Sequence, residues 1–183
     1  MINEKLKLLL FGSAVWYLGE GMFGPLFAIF SESIGGNILD ITSAWAVYLF
    51  ATGILIIVIG HISDTTVKKE KLMIFGYALN ALFTFGWLFV TRPEQLFIVQ
   101  IGLGIAAALA TPTWEALYSN HSNKKKMGFM WGFFEGTTNM ITAFAIVIGG
   151  LIVNFYSFKI LFIIMGTIQV IATIAQALIL RDK

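Results

Sequence analysis

From Leu6 to Leu180 the sequence is a succession of apolar runs separated by short polar breaks. A helix needs roughly 20 apolar residues to cross a bilayer. Six runs reach that length: 6–30, 41–63, 71–91, 94–118, 126–153 and 157–180. They take up nearly all of the 183 residues, so no soluble domain fits beside them. Composition agrees, because charged residues make up 12% and mean hydropathy is +0.85. A soluble globule carries about 25% charge, and disordered chains are polar. Both classes are excluded. The expected fold is an all-α membrane protein in which residues 1–183 form a single domain of six transmembrane helices.

Topology follows from the basic residues. Lys5, Lys7, Lys68, Lys69, Lys71, Lys124, Lys125, Lys126, Arg181 and Lys183 fall on one side of the six runs, and Arg92 and Lys159 on the other. The positive-inside rule then places both termini in the cytoplasm of a multi-pass protein of the inner or plasma membrane. The first run contains Pro25 and has no small-x-small site before Ser31, so it is expected to be retained, not cleaved as a signal. Trp45 and Trp87 lie near run ends and suit the interfacial aromatic belt. Basic clusters at helix ends are not a nucleic-acid footprint. With no cysteine, thiol catalysis and cysteine metal sites are out. His61, His121, Asp64 and Glu115 lack metal-ligand spacing. No nucleophile elbow, zinc helix or phosphate-binding loop occurs, so neither an enzyme nor a cofactor or metal is expected.

Polar groups inside the runs locate the function, since burying charge in lipid costs about 2.5–3.5 kcal/mol. Run one carries Glu20, with Trp16 and Gly24 one turn away on the same face and Pro25 to loosen the helix. A carboxyl there can carry a proton or hold a cation. Run four places Gln100, Gly104, Ala108, Thr111 and Glu115 on one small, polar face, with Trp114 close by. Run five pairs Glu135 with Asn139 at i, i+4, beside a ridge of Gly128, Gly132 and Gly136 that lets another helix approach closely. Trp16, Trp114 and Trp131 lie near these stripes. Gln169, Thr173 and Gln176 of run six share a face and read as interhelical hydrogen bonds.

Between runs two and three stands Gly60-His61-Ile62-Ser63-Asp64-Thr65-Thr66-Val67-Lys68-Lys69. It resembles the Gly-x-x-x-Asp-Arg-x-Gly-Arg-Arg loop of the major facilitator superfamily at Gly60, Asp64, Lys68 and Lys69. Thr65 stands where that motif has its first basic residue, and Val67 where it has the second glycine. Gln100-x-x-x-Gly104-x-x-x-Ala108 resembles the family's Arg-x-x-x-Gly-x-x-x-Ala helix without the arginine. Ile148-Gly149-Gly150 resembles the end of the Gly-Pro-x-x-Gly-Gly motif of drug antiporters, with Ala145-Ile146 in place of Gly-Pro.

The resemblance covers one six-helix half of a family fold that has two halves related by an axis along the membrane normal. It implies a half-size member completed by a parallel homodimer. Runs one and four would line the central cavity, runs two and five would meet the partner, and runs three and six would face lipid. Gly128, Gly132, Gly136, Gly149 and Gly150 would serve helix packing or the dimer interface. Asp64 would meet the N-terminus of the partner's fifth run, near Met127. The implied activity is secondary transport by alternating access. Glu20, Trp16, Gln100, Gly104, Thr111, Glu135 and Asn139 would bind a proton and a small organic solute. A drug-like or amphiphilic cation is favoured, a sugar or polyol is the alternative, and a third reading is a non-transporting accessory half that pairs with another membrane chain.

Overall fold

The computed structural model describes residues 4–65 and 68–181. The described residues form helices, with no strand among them. They are α1 (Glu4–Gly21), α2 (Leu26–Ser33), α3 (Ile38–Thr65), α4 (Lys69–Gly86), α5 (Pro93–His121), α6 (Met127–Phe155) and α7 (Phe158–Ala177). Short 3₁₀ turns extend α4 through Phe89, precede α6 at Lys124–Lys126 and extend α7 through Leu180. Five of these elements are long and apolar enough to cross a membrane: Ile38–Asp64, Lys69–Phe89, Pro93–His121, Lys124–Phe155 and Phe158–Leu180. The chain is an integral membrane protein.

The first run is not one helix. Proline has no N–H to donate and its ring crowds the carbonyl four residues back. Residues 22–25 accordingly form a turn between α1 and α2, ahead of Pro25. The chain leaves α2 through Gly35, whose φ of +88° is a conformation other residues avoid. Asn37 then starts α3. Its Oδ1 accepts from the N–H of Leu39 at 2.8 Å, and Asp40 Oδ2 accepts from the Asn37 N–H at 2.9 Å. Gln95 does the same for α5, accepting from the N–H of Thr91 at 2.7 Å and of Arg92 at 3.2 Å. Thr65, Thr66 and Val67, where the loop motif departs from the family pattern, lie outside the described residues or have undescribed side chains.

Helix α1 packs against α6 and α7, α5 packs against α3 and α4, and α4 packs against α7. Exchanging the first three runs for the last three maps this pattern onto itself. Two apolar clusters close the ends of the bundle. Near the start of α1, Leu6, Leu9, Met73, Tyr77, Trp114, Tyr118, Phe134 and Ile179 pack together. At the other end Phe23, Phe27 and Phe30 meet Leu96, Phe162 and Trp87. Trp87 is 3% exposed, so it is a core residue and does not belong to an interfacial belt. Its ring centroid lies 5.1 Å from that of Phe23, and the apolar contact with the α2 aromatics outweighs an interfacial position. Trp45, on α3, is 49% exposed.

Candidate functional site: an intramembrane carboxyl between two cavities

Between the two apolar clusters lies a polar layer. Glu20, in the last turn of α1, points at α4 and α7. Its Oε1 accepts from Asn80 Nδ2 at 2.8 Å and, more loosely, from Gln169 Nε2 at 3.4 Å. Asn80 and Gln169 are buried. Lys7, the next described cation along α1, is 13 residues away, ~20 Å at the helical rise. The carboxyl is thus held by two neutral amides in an apolar surround.

Two cavities flank it. The first, of about 80 Å³, lies between α1, α4, α5 and α6, and is lined by Trp16, Tyr17, Tyr77, Thr111, Trp114, Glu115 and Glu135. Trp16 and Tyr77 meet edge to face with centroids 4.3 Å apart. Trp114 is fixed by its Nε1, which donates to the Leu9 carbonyl at 3.2 Å. The second cavity, of about 90 Å³, is lined by Glu20 itself with Gln100, Tyr48, Thr84 and the aromatics Phe23, Phe27, Trp45 and Trp87. An acid and aromatic faces without a basic side chain make each cavity suited to a cation or to a hydrogen-bonding neutral solute. No group of acidic and histidine side chains among the described residues could hold a metal ion.

The residues singled out in the sequence divide among these places. Trp16, Thr111 and Glu135 line the first cavity, and Glu20 and Gln100 the second. Gly104 lines neither. It lets α5 approach α3, because a Cβ there would sit 3.0 Å from Thr52 Oγ1 and from the Tyr48 carbonyl. Asn139 is exposed on α6, outside both cavities. Gly128, Gly132 and Gly136 are exposed with nothing packed on them, and Gly150 has open space above it. Gly149 is buried within the chain against the Met22 carbonyl, so it seats the turn after α1. Gly60 also has open space above it, Lys68 is exposed, and Lys69 Nζ donates to Asp64 Oδ1 at 2.8 Å. Asn80, Tyr17, Tyr48 and Tyr77 also belong to the site, beyond the residues singled out in the sequence. The signal for Asn80 was present, since Tyr77 and Thr84 flank it at helical spacing on the buried face of α4.

The sequence model of the Major Facilitator Superfamily matches residues 9–183. An uncharacterized MFS-type transporter of Methanocaldococcus jannaschii is 26% identical over 165 residues, 90% of this chain and 42% of that protein. The multidrug resistance protein MdtG of Klebsiella pneumoniae is 23% identical over 98% of this chain and 44% of its own length. The uncharacterized MFS-type transporter YitZ of Bacillus subtilis is 18% identical over 80% of this chain and 88% of its own length. The chain therefore spans less than half of the first two relatives and most of the third.

Proposed function

The chain belongs to the major facilitator superfamily, a family of transporters and not of enzymes, and from that membership we propose that two copies of it build one secondary transporter that works by alternating access. The observation that carries this reading is the position of Glu135. It lies eight residues into α6, ~12 Å along the helix, and is exposed on the open side of the first cavity beside Glu115. A lone bundle would turn these acids toward hydrocarbon at a cost of several kcal/mol. A second six-helix unit over that side encloses them in a wet central cavity. The bare ridge of Gly128, Gly132 and Gly136, continued by the exposed Asn139, supports α6 as a contact helix. In this assembly α1 and α2 together make the sixth crossing, and both ends of the sequence lie in the cytoplasm of an inner or plasma membrane. The YitZ match, which covers most of that relative, supports a half-size member.

The solute is a drug-like or amphiphilic organic cation. Carboxyls among Trp16, Trp114 and Tyr77, with no basic side chain in either cavity lining, favour it over an anion. The relative named as a multidrug resistance protein supports a drug-like solute. Glu20 carries the coupling proton.

The test is dye movement by the purified protein in liposomes under an imposed pH gradient, with native mass spectrometry of the same preparation. A two-copy assembly that moves a lipophilic cationic dye, in competition with other cations and not with sugars, is expected. Competition by sugars alone would replace the cation with a polyol. A stable single copy without transport would overturn the reading in favour of an accessory half.

A further inference from the structure

Helices α1 and α7 run antiparallel, and their seam repeats itself. On α1, Gly12 and Gly19 are seven residues apart; on α7, Gln176 and Gln169 have the same spacing. Each glutamine fills the notch that one glycine leaves. A Cβ at Gly19 would lie 2.6 Å from Gln169 Nε2, and one at Gly12 would run into the Gln176 amide. Each amide also donates to the carbonyl three residues before its glycine: Gln169 to Trp16 at 3.1 Å and Gln176 to Leu9 at 3.2 Å. Both glutamines are fully buried, and in each the Oε1 has no donor.

The two notches differ in one respect. Beside Gly12 stands Ser13, whose hydroxyl donates to its own helix at Leu10, and Gln176 has the Tyr77 hydroxyl as its second partner. Beside Gly19 stands Glu20. A carboxylate only accepts hydrogen bonds, but a carboxylic acid must also donate one. Asn80 and Gln169 present N–H groups to Glu20, which suit the ionised form. On protonation the new O–H needs an acceptor, and the partnerless Gln169 Oε1 is within one turn of its amide.

We propose that Gln169 is a positioning residue that ties the proton on Glu20 to the backbone of α1. With Glu20 ionised, Gln169 Nε2 donates to the carboxylate and to the Trp16 carbonyl. When a proton arrives, the amide turns over and its Oε1 accepts the Glu20 O–H. Its N–H group then leaves Trp16, six residues before the break at residues 22–25. Protonation thus unfastens the end of α1 from α7. Tyr48 of α3 lines the same cavity as Glu20, and Tyr17 of α1 lines the neighbouring one. Tyr77 of α4, Glu115 of α5 and Glu135 of α6 line the neighbouring cavity. Lys159, the described charged residue of α7, is ten residues from Gln169. This coupling rests on the reading of Glu20 as the proton site, but its test does not require transport.

The experiment is infrared difference spectroscopy of the full chain in liposomes, titrated with acid. A carboxylic C=O band that disappears in Glu20→Gln belongs to Glu20. In Gln169→Met, which keeps the shape and loses the amide, that band is expected to move to higher wavenumber, the signature of an O–H without its acceptor. Gly19→Ala, which pushes Gln169 out of its notch, should shift it the same way. Gln176→Met and Gly12→Ala, the matched changes in the other notch, should leave it in place. A band unmoved in Gln169→Met and Gly19→Ala, or moved equally by all four, would overturn the proposal. So would the absence of any Glu20 band. A parent protein that shows the expected shifts but moves no solute would overturn the transport reading and leave this coupling standing.

Discussion

Single residues divide into those whose role could be read directly and those whose role depends on a neighbour. Glu20 was legible because a carboxyl within an apolar run is costly. Glu20→Gln keeps its hydrogen-bonding shape but cannot ionise, and we expect dye uptake to lose its response to the pH gradient while the assembly mass stays unchanged. Retained pH-dependent uptake would count against it. Gln169 and Gln176 were legible as interhelical bonds. Their fit to Gly19 and Gly12 was not, because register between helices far apart in sequence is set by the packing of the whole bundle. Gly149 and Gly150 look alike in sequence, yet only Gly149 touches the Met22 backbone. Gly149→Ala should therefore cost about 1–3 kcal/mol, as an overpacked site does, and Gly150→Ala less than about 0.5. Thermal unfolding of both variants in one detergent checks the contrast.

At the scale of elements, the apolar runs gave the helices nearly to their ends. Caps such as Asn37 and Gln95 fix those ends by local hydrogen bonding. Pro25 flagged the break in the first run, but the sequence did not say that four residues would leave the helix. Helix α5 runs through Pro112 unbroken. It is packed on α3 and α4, and that packing keeps the helix continuous through a proline that alone opposes it. Pro25→Ala restores an N–H able to bond the Gly21 carbonyl. Spin labels at Phe11 and Ile29, both exposed and in a chain without native cysteine, should then report a longer and narrower distance distribution. An unchanged distribution would place the cause of the break in the aromatic packing of α2.

For the whole molecule, membrane class and family were readable, because hydropathy and a loop motif are local properties. The division of polar residues into two cavities was not, because it depends on how α1 and α5 meet. The bare glycine ridge of α6 gives the assembly its sharpest test. A Cβ added at the exposed Gly132 meets nothing within 4 Å, so the protomer of Gly132→Phe should fold. Association should weaken by roughly tenfold or more, the scale of a lost packing contact between membrane helices. Native mass spectrometry across a dilution series reads this directly. Asp64, held by Lys69 in the single chain, is expected to face the partner's α6 in the pair. Asp64→Asn should raise cytoplasmic labelling of a cysteine placed at Thr111, and equal labelling would remove Asp64 from the inner gate.

The paired notches of α1 and α7 also limit how the bundle can deform. Sliding one helix past the other by a single turn, ~5.4 Å, unseats both amides at once, and the next register that reseats even one of them lies seven residues, ~10.5 Å, away. While both amides are seated, the seam acts as a vernier with one stop: α1 and α7 travel as a single body, and shear falls between that body and the more loosely surrounded α3 and α6.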